Sequence, residues 1–312
     1  MKKRHKPVLK IVMWILGITI VLTAIGMYIF SIIFINSAFS HRVVKNENTP
    51  EELGLTAETI SLTSSDGIDL AGWWVPVSSP KAIVIVLHGM DGLDASSLLP
   101  QAVFLNDAGY SVFVQDMRAH GRSGGDRIGL AFEEPLDVIP VLDWVSTQPE
   151  LNDPPVVLLG LSMGGAVAIR TAAIRPDVDA VISVSAYASI DKMIGQGMRL
   201  MHFPEALIQF FVPFSKLGML TVYGEWPAHA SPLRDISKIE EQPVLLMHGS
   251  MDQQIPVENA YELQKAGGDN VQLLIIEGAD HLIFSENGLG DNELDKIYRN
   301  HILEFLSSMP LY

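Results

Sequence analysis

Val156-Val157-Leu158-Leu159-Gly160-Leu161-Ser162-Met163-Gly164-Gly165 is the stretch that decides the fold. Residues 156–160 read as a strand buried on both faces, and residues 164–174 read as a helix. Joining the two in so few residues puts Ser162 on a tight strand-to-helix turn. A residue at such a turn takes strained backbone angles, and side chains beside it would collide, which accounts for the glycines on either flank. The turn lifts the Ser162 hydroxyl clear of the sheet. It also aims the free N–H groups and positive dipole end of the helix at any negative charge that develops there.

Outward from that turn the same alternation continues. Residues 82–87, 111–115, 180–184, 244–247 and 271–276 are further short apolar runs. Helical patterns fall between them at 96–108, 135–146, 257–266 and 292–307. Residues 58–63 and 68–77 read as paired strands joined through Ser65-Asp66-Gly67. Strands alternating with helices predict an α/β fold, a mainly parallel sheet covered on both faces. One interval, 188–242, has no strong strand signal and carries Met193, Met198, Met201, Phe203, Phe210, Phe211, Phe214 and Met219 at helical spacing. An insertion at the C-terminal end of a strand can cover the crevice where open sheets bind ligands, so this interval is expected to form a helical lid.

A serine hydroxyl needs a base, and the base needs an orienting acid. His281, in Gly278-Ala279-Asp280-His281, follows the 271–276 strand; Asp252, in His248-Gly249-Ser250-Met251-Asp252, follows the 244–247 strand. Both are expected on the sheet edge that carries Ser162. Asp280 and Asp191 are the alternatives for the acid, Asp280 disfavoured because loop neighbours rarely face each other. His248 is read as shaping its turn and His120 as a structural loop histidine. Donors for an oxyanion are expected from the backbone N–H of Met163 and from the His88-Gly89-Met90-Asp91-Gly92 loop, at Met90, with Asp91 facing solvent.

On these residues the chain from about position 58 onward resembles the α/β-hydrolases, especially their membrane-anchored Bem46-like branch and more loosely the serine aminopeptidase-like hydrolases. The His88-Gly89 loop, Asp116-Met117-Arg118-Ala119-His120-Gly121-Arg122-Ser123, the 160–165 turn, Ser231-Pro232-Leu233, Asp252 and His281 carry the likeness. The chain order Ser162, Asp252, His281 is the order of that architecture. The resemblance implies an eight-stranded, mostly parallel sheet, no cofactor, and hydrolysis of esters, thioesters or amides through an acyl-enzyme. Ala119 stands where glycine is frequent in the family.

Charge organises the rest. Among 312 residues the net charge is −15, yet the first 45 residues hold seven of the 21 basic side chains and no acid. Residues 46–312 therefore carry 14 basic against 36 acidic groups, which argues against a nucleic-acid partner. The absence of cysteine excludes disulfides and a thiolate nucleophile. Between Lys10 and His41 the chain is uncharged. Residues 11–35 as a helix would extend about 37 Å, more than a hydrocarbon core of about 30 Å. A cleaved signal peptide is the rival, but its apolar region is ordinarily about 7–15 residues and Asn36-Ser37-Ala38-Phe39 is a poor cleavage site. The expected organisation is a basic cytoplasmic tail at 1–10, a single-pass anchor at 11–35, a linker at 36–57, and the hydrolase domain at 58–312 with its lid at 188–242. The more basic N-terminal flank stays cytoplasmic, which places the acidic domain across the cell membrane.

The leading expectation is a membrane-anchored serine hydrolase acting on carboxylic esters, including acyl, lipid-like or thioester substrates. A peptidase acting on short peptides would want lid carboxylates for the substrate ammonium, for which Glu205 and Glu225 are available. A tethered, non-catalytic binding protein on the same fold is the alternative of another class. The histidines show no metal-ligand spacing.

Overall fold

The structure, a computed structural model, describes residues 5–90, 92–148, 154–284, 289–290 and 292–309. Asp91, the tail residues Lys2, Lys3 and Arg4, and the chain end from Pro310 lie outside these.

Eight strands form one sheet: β1 (Glu58–Thr63), β2 (Asp69–Val75), β3 (Ile83–Leu87), β4 (Ser111–Asp116), β5 (Val156–Leu161), β6 (Ala180–Val184), β7 (Val244–Gly249) and β8 (Val271–Ile276). Their spatial order is β1-β2-β4-β3-β5-β6-β7-β8. β2 is antiparallel to both β1 and β4, and every later pairing is parallel. The crossing of β3 and β4 seats the Ser162 strand centrally, between β3 and β6. β3 is Ile-Val-Ile-Val-Leu with no exposure at any position, because helices cover both faces. Burying each such side chain stabilises the fold by about 1.5–3 kcal/mol.

α2 (Leu99–Asp107) packs on β3 and β4, while α4 (Met163–Ala172) packs on β5 and β6 and touches α3 (Pro135–Ser146). The two faces are separate cores. Ile83, Ile85, Leu87, Phe113, Leu158 and Val181 belong to one; Val84, Val86, Val112, Leu159 and Ile182, alternate positions of the same strands, belong to the other. α8 (Glu258–Ala266) and α9 (Glu293–Ser308) complete the helical layers.

Between β6 and β7 lie α5 (Ile190–Leu200), α6 (Glu205–Tyr223) and the short α7 (Pro232–Asp235). The Ala188 carbonyl accepts from Leu233 N–H at 3.0 Å and from the Ser231 hydroxyl at 3.1 Å. The segment therefore leaves and rejoins the sheet at one point. Ahead of the sheet, α1 (His5–Phe39) is a single helix that continues four residues past Ile35. Its N-terminal part presents apolar side chains outward, including Trp14, Leu16, Ile20 and Leu22, whereas Ile35 and Phe39 are buried in the core. After it, Val43 pairs with His120, and Asp94 accepts the N–H groups of Lys45 and Asn46, so the chain lies against the domain between α1 and β1.

Candidate active site

The 160–165 turn has the geometry its composition predicts. Ser162 adopts φ +54° and ψ −115°, a strained conformation for a residue with a side chain. A Cβ on Gly160 would strike the Gly164 carbonyl, and one on Gly164 would strike the carbonyls of Leu87 and His88. Glycine at these positions lets α4 start directly over the ends of β3 and β5. The Ser162 N–H is held by the Val184 carbonyl at 2.7 Å. Met163 is the first residue of α4, so its N–H has no partner within the helix.

The loops after β7 and β8 are fastened together. Gly249 approaches the carbonyls of Ala279 and Asp280 so closely that a Cβ would collide with both. Met251 N–H donates to Ala279 at 2.9 Å, and Gly278 N–H donates to the Ser250 hydroxyl at 2.9 Å. These contacts bring Asp252 to His281: Nδ1 of His281 is 2.7 Å from Asp252 Oδ2, and its Nε2 is 2.9 Å from Ser162 Oγ. Asp252 and His281 are buried and Ser162 is partly exposed.

Asp252 is saturated with donors. Its Oδ1 accepts the N–H groups of Gln254 and Ile255 at 2.9 and 2.8 Å. Oδ2 faces both His281 and, at 3.1 Å, Nε2 of His248. Burial alone would raise its pKa, but the hydrogen bonds from His248, His281 and the Ile255 N–H outweigh burial and hold it near 2. It is a carboxylate at any ordinary pH. His248 does close its turn, donating from Nε2 to the Ile255 carbonyl at 2.7 Å. Its second contact, to Asp252, is not foreseen from the sequence, where the spacing of four residues between the two is the available signal.

The loop after β3 lies beside the serine. A Cβ at Gly89 would come within 3.3 Å of Ser162 Cβ, so Met90 follows immediately on the point of closest approach. His88 fixes this loop. Its Nε2 accepts Met117 N–H at 2.9 Å, which leaves Nδ1 to carry the proton and donate to Gly89 at 2.7 Å. Complete burial pushes its pKa down to about 4, keeping it neutral in that tautomer.

The other residues singled out by sequence lie elsewhere. Asp280 accepts the backbone N–H of His281 at 2.8 Å, and Asp191 pairs with Lys216 at 2.8 Å; neither faces the imidazole. His120 is buried against the Arg118 carbonyl. Glu205 is exposed and held by Arg199 at 2.9 Å, while Glu225 is half-buried. Among the described residues no three His, Asp or Glu side chains are grouped as a metal site would require.

Comparison with known proteins gives a consistent answer. The serine aminopeptidase S33 hydrolase family profile matches residues 78–223, which include the Ser162 turn but end before Asp252. The chain is 26% identical to YqkD of Bacillus subtilis over 93% of its own length and 97% of that protein. It is 28% identical to monoglyceride lipase of Rattus norvegicus, covering 72% of this chain and 84% of the lipase. Among solved structures, the esterase Pf2001 of Pyrococcus furiosus superposes with a TM-score of 0.70 at 26% identity, over 87% of this chain and 99% of the esterase.

Proposed function

The chain belongs to the α/β-hydrolase superfamily and is a hydrolase, and from that premise we propose that it cleaves carboxylic esters through an acyl-enzyme on Ser162. The observation that carries the proposal is the unbroken relay from Asp252 Oδ2 through both ring nitrogens of His281 to Ser162 Oγ, in steps of 2.7 and 2.9 Å. The Asp252 carboxylate keeps the imidazole proton on Nδ1, so that Nε2 offers its lone pair to the hydroxyl. As Oγ attacks the substrate carbonyl carbon, its proton passes to Nε2, and the N–H groups of Met163 and Met90 hold the oxyanion. Collapse breaks the bond to the leaving oxygen, which takes the proton from Nε2. Water then repeats the sequence on the acyl-enzyme, releasing the acid and restoring Ser162.

Esters come ahead of peptides in this reading. A peptidase would need free carboxylates for the substrate ammonium; Glu205 is engaged by Arg199, which leaves the half-buried Glu225 alone of the two. The named relatives that are lipases or esterases favour the same order. The proposal extends to location: residues 11–35 anchor the enzyme, residues 1–10 stay in the cytoplasm, 36–57 link, and 58–312 act outside with 188–242 as the lid. A 32-residue apolar helix and the basic N-terminal flank support this.

A panel of p-nitrophenyl esters of increasing acyl length, set against aminoacyl-nitroanilides, tests the reading. Turnover of esters above anilides, lost in Ser162→Ala, is the expected result. Ester turnover undiminished in a folded Ser162→Ala protein would refute it.

A further inference from the structure

The mechanism uses nothing of α6, yet α6 is the element most closely packed against α1. The Tyr28 hydroxyl is 2.7 Å from Thr221 Oγ1. Gly218 sits so close to Ser31 and Ile35 that a Cβ there would meet both. The Phe211 ring lies edge-on to Phe30 and Phe34, at centroid distances of 5.6 and 5.7 Å. Gly218 and Phe211, seven positions apart on α6, thus meet the same 30–35 stretch of α1. One face of α6, with Ile208, Phe211, Ser215, Gly218 and Met219, is buried. Leu207, Phe210, Leu217 and Leu220 of α6 are nonetheless exposed, as are Met201 and Phe203 at the α5–α6 junction.

An exposed apolar surface of this kind is unusual on a protein surrounded by water. Its position supplies the explanation. If the bilayer begins at Lys10, about 20 residues of α1 cross a core of about 30 Å and the outer boundary falls near Tyr28–Ser31. That is the level at which α6 is docked. α6 is long and apolar enough to cross a membrane itself. It does not, because the segment bearing it leaves and rejoins the sheet at Ala188. A helix packed by one face on a spanning helix at the boundary, with further apolar side chains exposed, places those side chains in the acyl region.

We propose that α6 is seated in the outer leaflet against α1, and that the lipid bilayer is the partner of its exposed apolar side. This rests on the anchor and the serine-hydrolase readings above. On this arrangement α1 is a structural wall of the 188–242 segment as well as a tether, and the esters best served are amphiphiles resident in the membrane.

The chain has no native cysteine, so single spin labels can be introduced without background. Full-length Phe210→Cys, Leu217→Cys, Ile20→Cys and Tyr261→Cys proteins would be labelled, reconstituted in phosphatidylcholine vesicles, and read for collision with oxygen and with a water-soluble nickel chelate. Tyr261 is half exposed on α8 and serves as the aqueous reference. Positions 20, 210 and 217 should favour oxygen, and 261 should favour nickel. Nickel access at 210 and 217 with oxygen access at 20 overturns the proposal and leaves the anchor intact; nickel access at 20 overturns the anchor. Shielding of 210 and 217 from both probes indicates a protein contact, such as a second copy, and also overturns it. In parallel, the Phe210→Glu/Leu217→Glu double variant should lose roughly tenfold or more in turnover of a long-chain ester presented in vesicles. Hydrolysis of a soluble short-chain ester should stay within about twofold, since neither side chain belongs to the relay. Equal losses on both substrates, or none on either, would contradict the proposal, while fluorophosphonate labelling of the same variant reports separately on the serine.

Discussion

Replacing Asp252 by Asn tests the proposed relay at its most constrained point, because the surroundings dictate how the amide must sit. Oδ1 accepts two backbone N–H groups, from Gln254 and Ile255. An amide NH2 in that place would meet two donors and forfeit both bonds, at about 1–3 kcal/mol for each group left unsatisfied. The Asn carbonyl therefore takes the Oδ1 position and its NH2 takes the Oδ2 position, 2.7 Å from His281 Nδ1. His248 gives no relief, since its Nε2–H, placed between the Ile255 carbonyl and Oδ2, is a donor and cannot accept from the amide. To accept from the amide, His281 must move its proton to Nε2, which then donates toward Ser162 instead of accepting. Loss of the base through the wrong tautomer costs about 10⁴ in kcat in the serine-protease type case, equivalent to about 5 kcal/mol of barrier. The assay is hydrolysis of p-nitrophenyl butyrate with kcat and KM resolved, alongside thermal unfolding. We expect kcat to fall about 10⁴-fold with KM within a few-fold, because the substitution acts through the imidazole. A folded Asp252→Asn protein retaining kcat within about tenfold would refute the reasoning.

Three further outcomes follow from the same geometry. Ser162→Gly should be inactive yet more stable than Ser162→Ala by about 1 kcal/mol in denaturant unfolding, since glycine relieves the positive φ that alanine retains. Gly164→Ala should lower stability by more than about 2 kcal/mol or prevent folding, because the new Cβ meets backbone at Leu87 and His88 that cannot swing away. Glu134 is wholly buried; burial, with the Asp137 carboxylate adding to it, pushes its pKa up to about 7. The folded state thus holds a proton that the unfolded chain releases near its ordinary value of 4.5, so stability is highest below that value and falls as pH rises through about 7. Glu134→Gln keeps an acceptor for Gly129 N–H and should gain on the order of 2 kcal/mol over wild type at pH 8, with little difference at pH 4.5.

Much of this fold is legible in the amino-acid sequence. Runs such as 82–87 and 156–160 can only be strands covered on both sides, and a serine flanked by glycines between such a strand and a helix admits few conformations. The placing of His281 and Asp252 on one edge follows from the same logic, since residues just past the C-terminal ends of parallel strands share an edge. What was not legible depends on surfaces that meet only after folding. Gly249 reads as an ordinary turn glycine, and only the Ala279 and Asp280 carbonyls above it explain the absence of a side chain. His248 touches the acid because Ile255 draws its ring over the turn. The docking of Phe211 and Gly218 on α1 pairs residues nearly two hundred positions apart, for which hydropathy carries no signal. The roughly three turns past Tyr28 likewise read as surplus apolar length rather than as a helix face with a partner.

The proposed role of Ser162 has the most direct test in covalent capture. Full-length protein would be treated with a fluorophosphonate and the adduct mapped by peptide mass spectrometry, with heat-denatured and Ser162→Ala samples alongside. A single phosphonyl group on the peptide that carries Ser162, absent from both controls, is the predicted result. A natively folded preparation that stays unmodified, or one that carries its label on another side chain, would contradict the account.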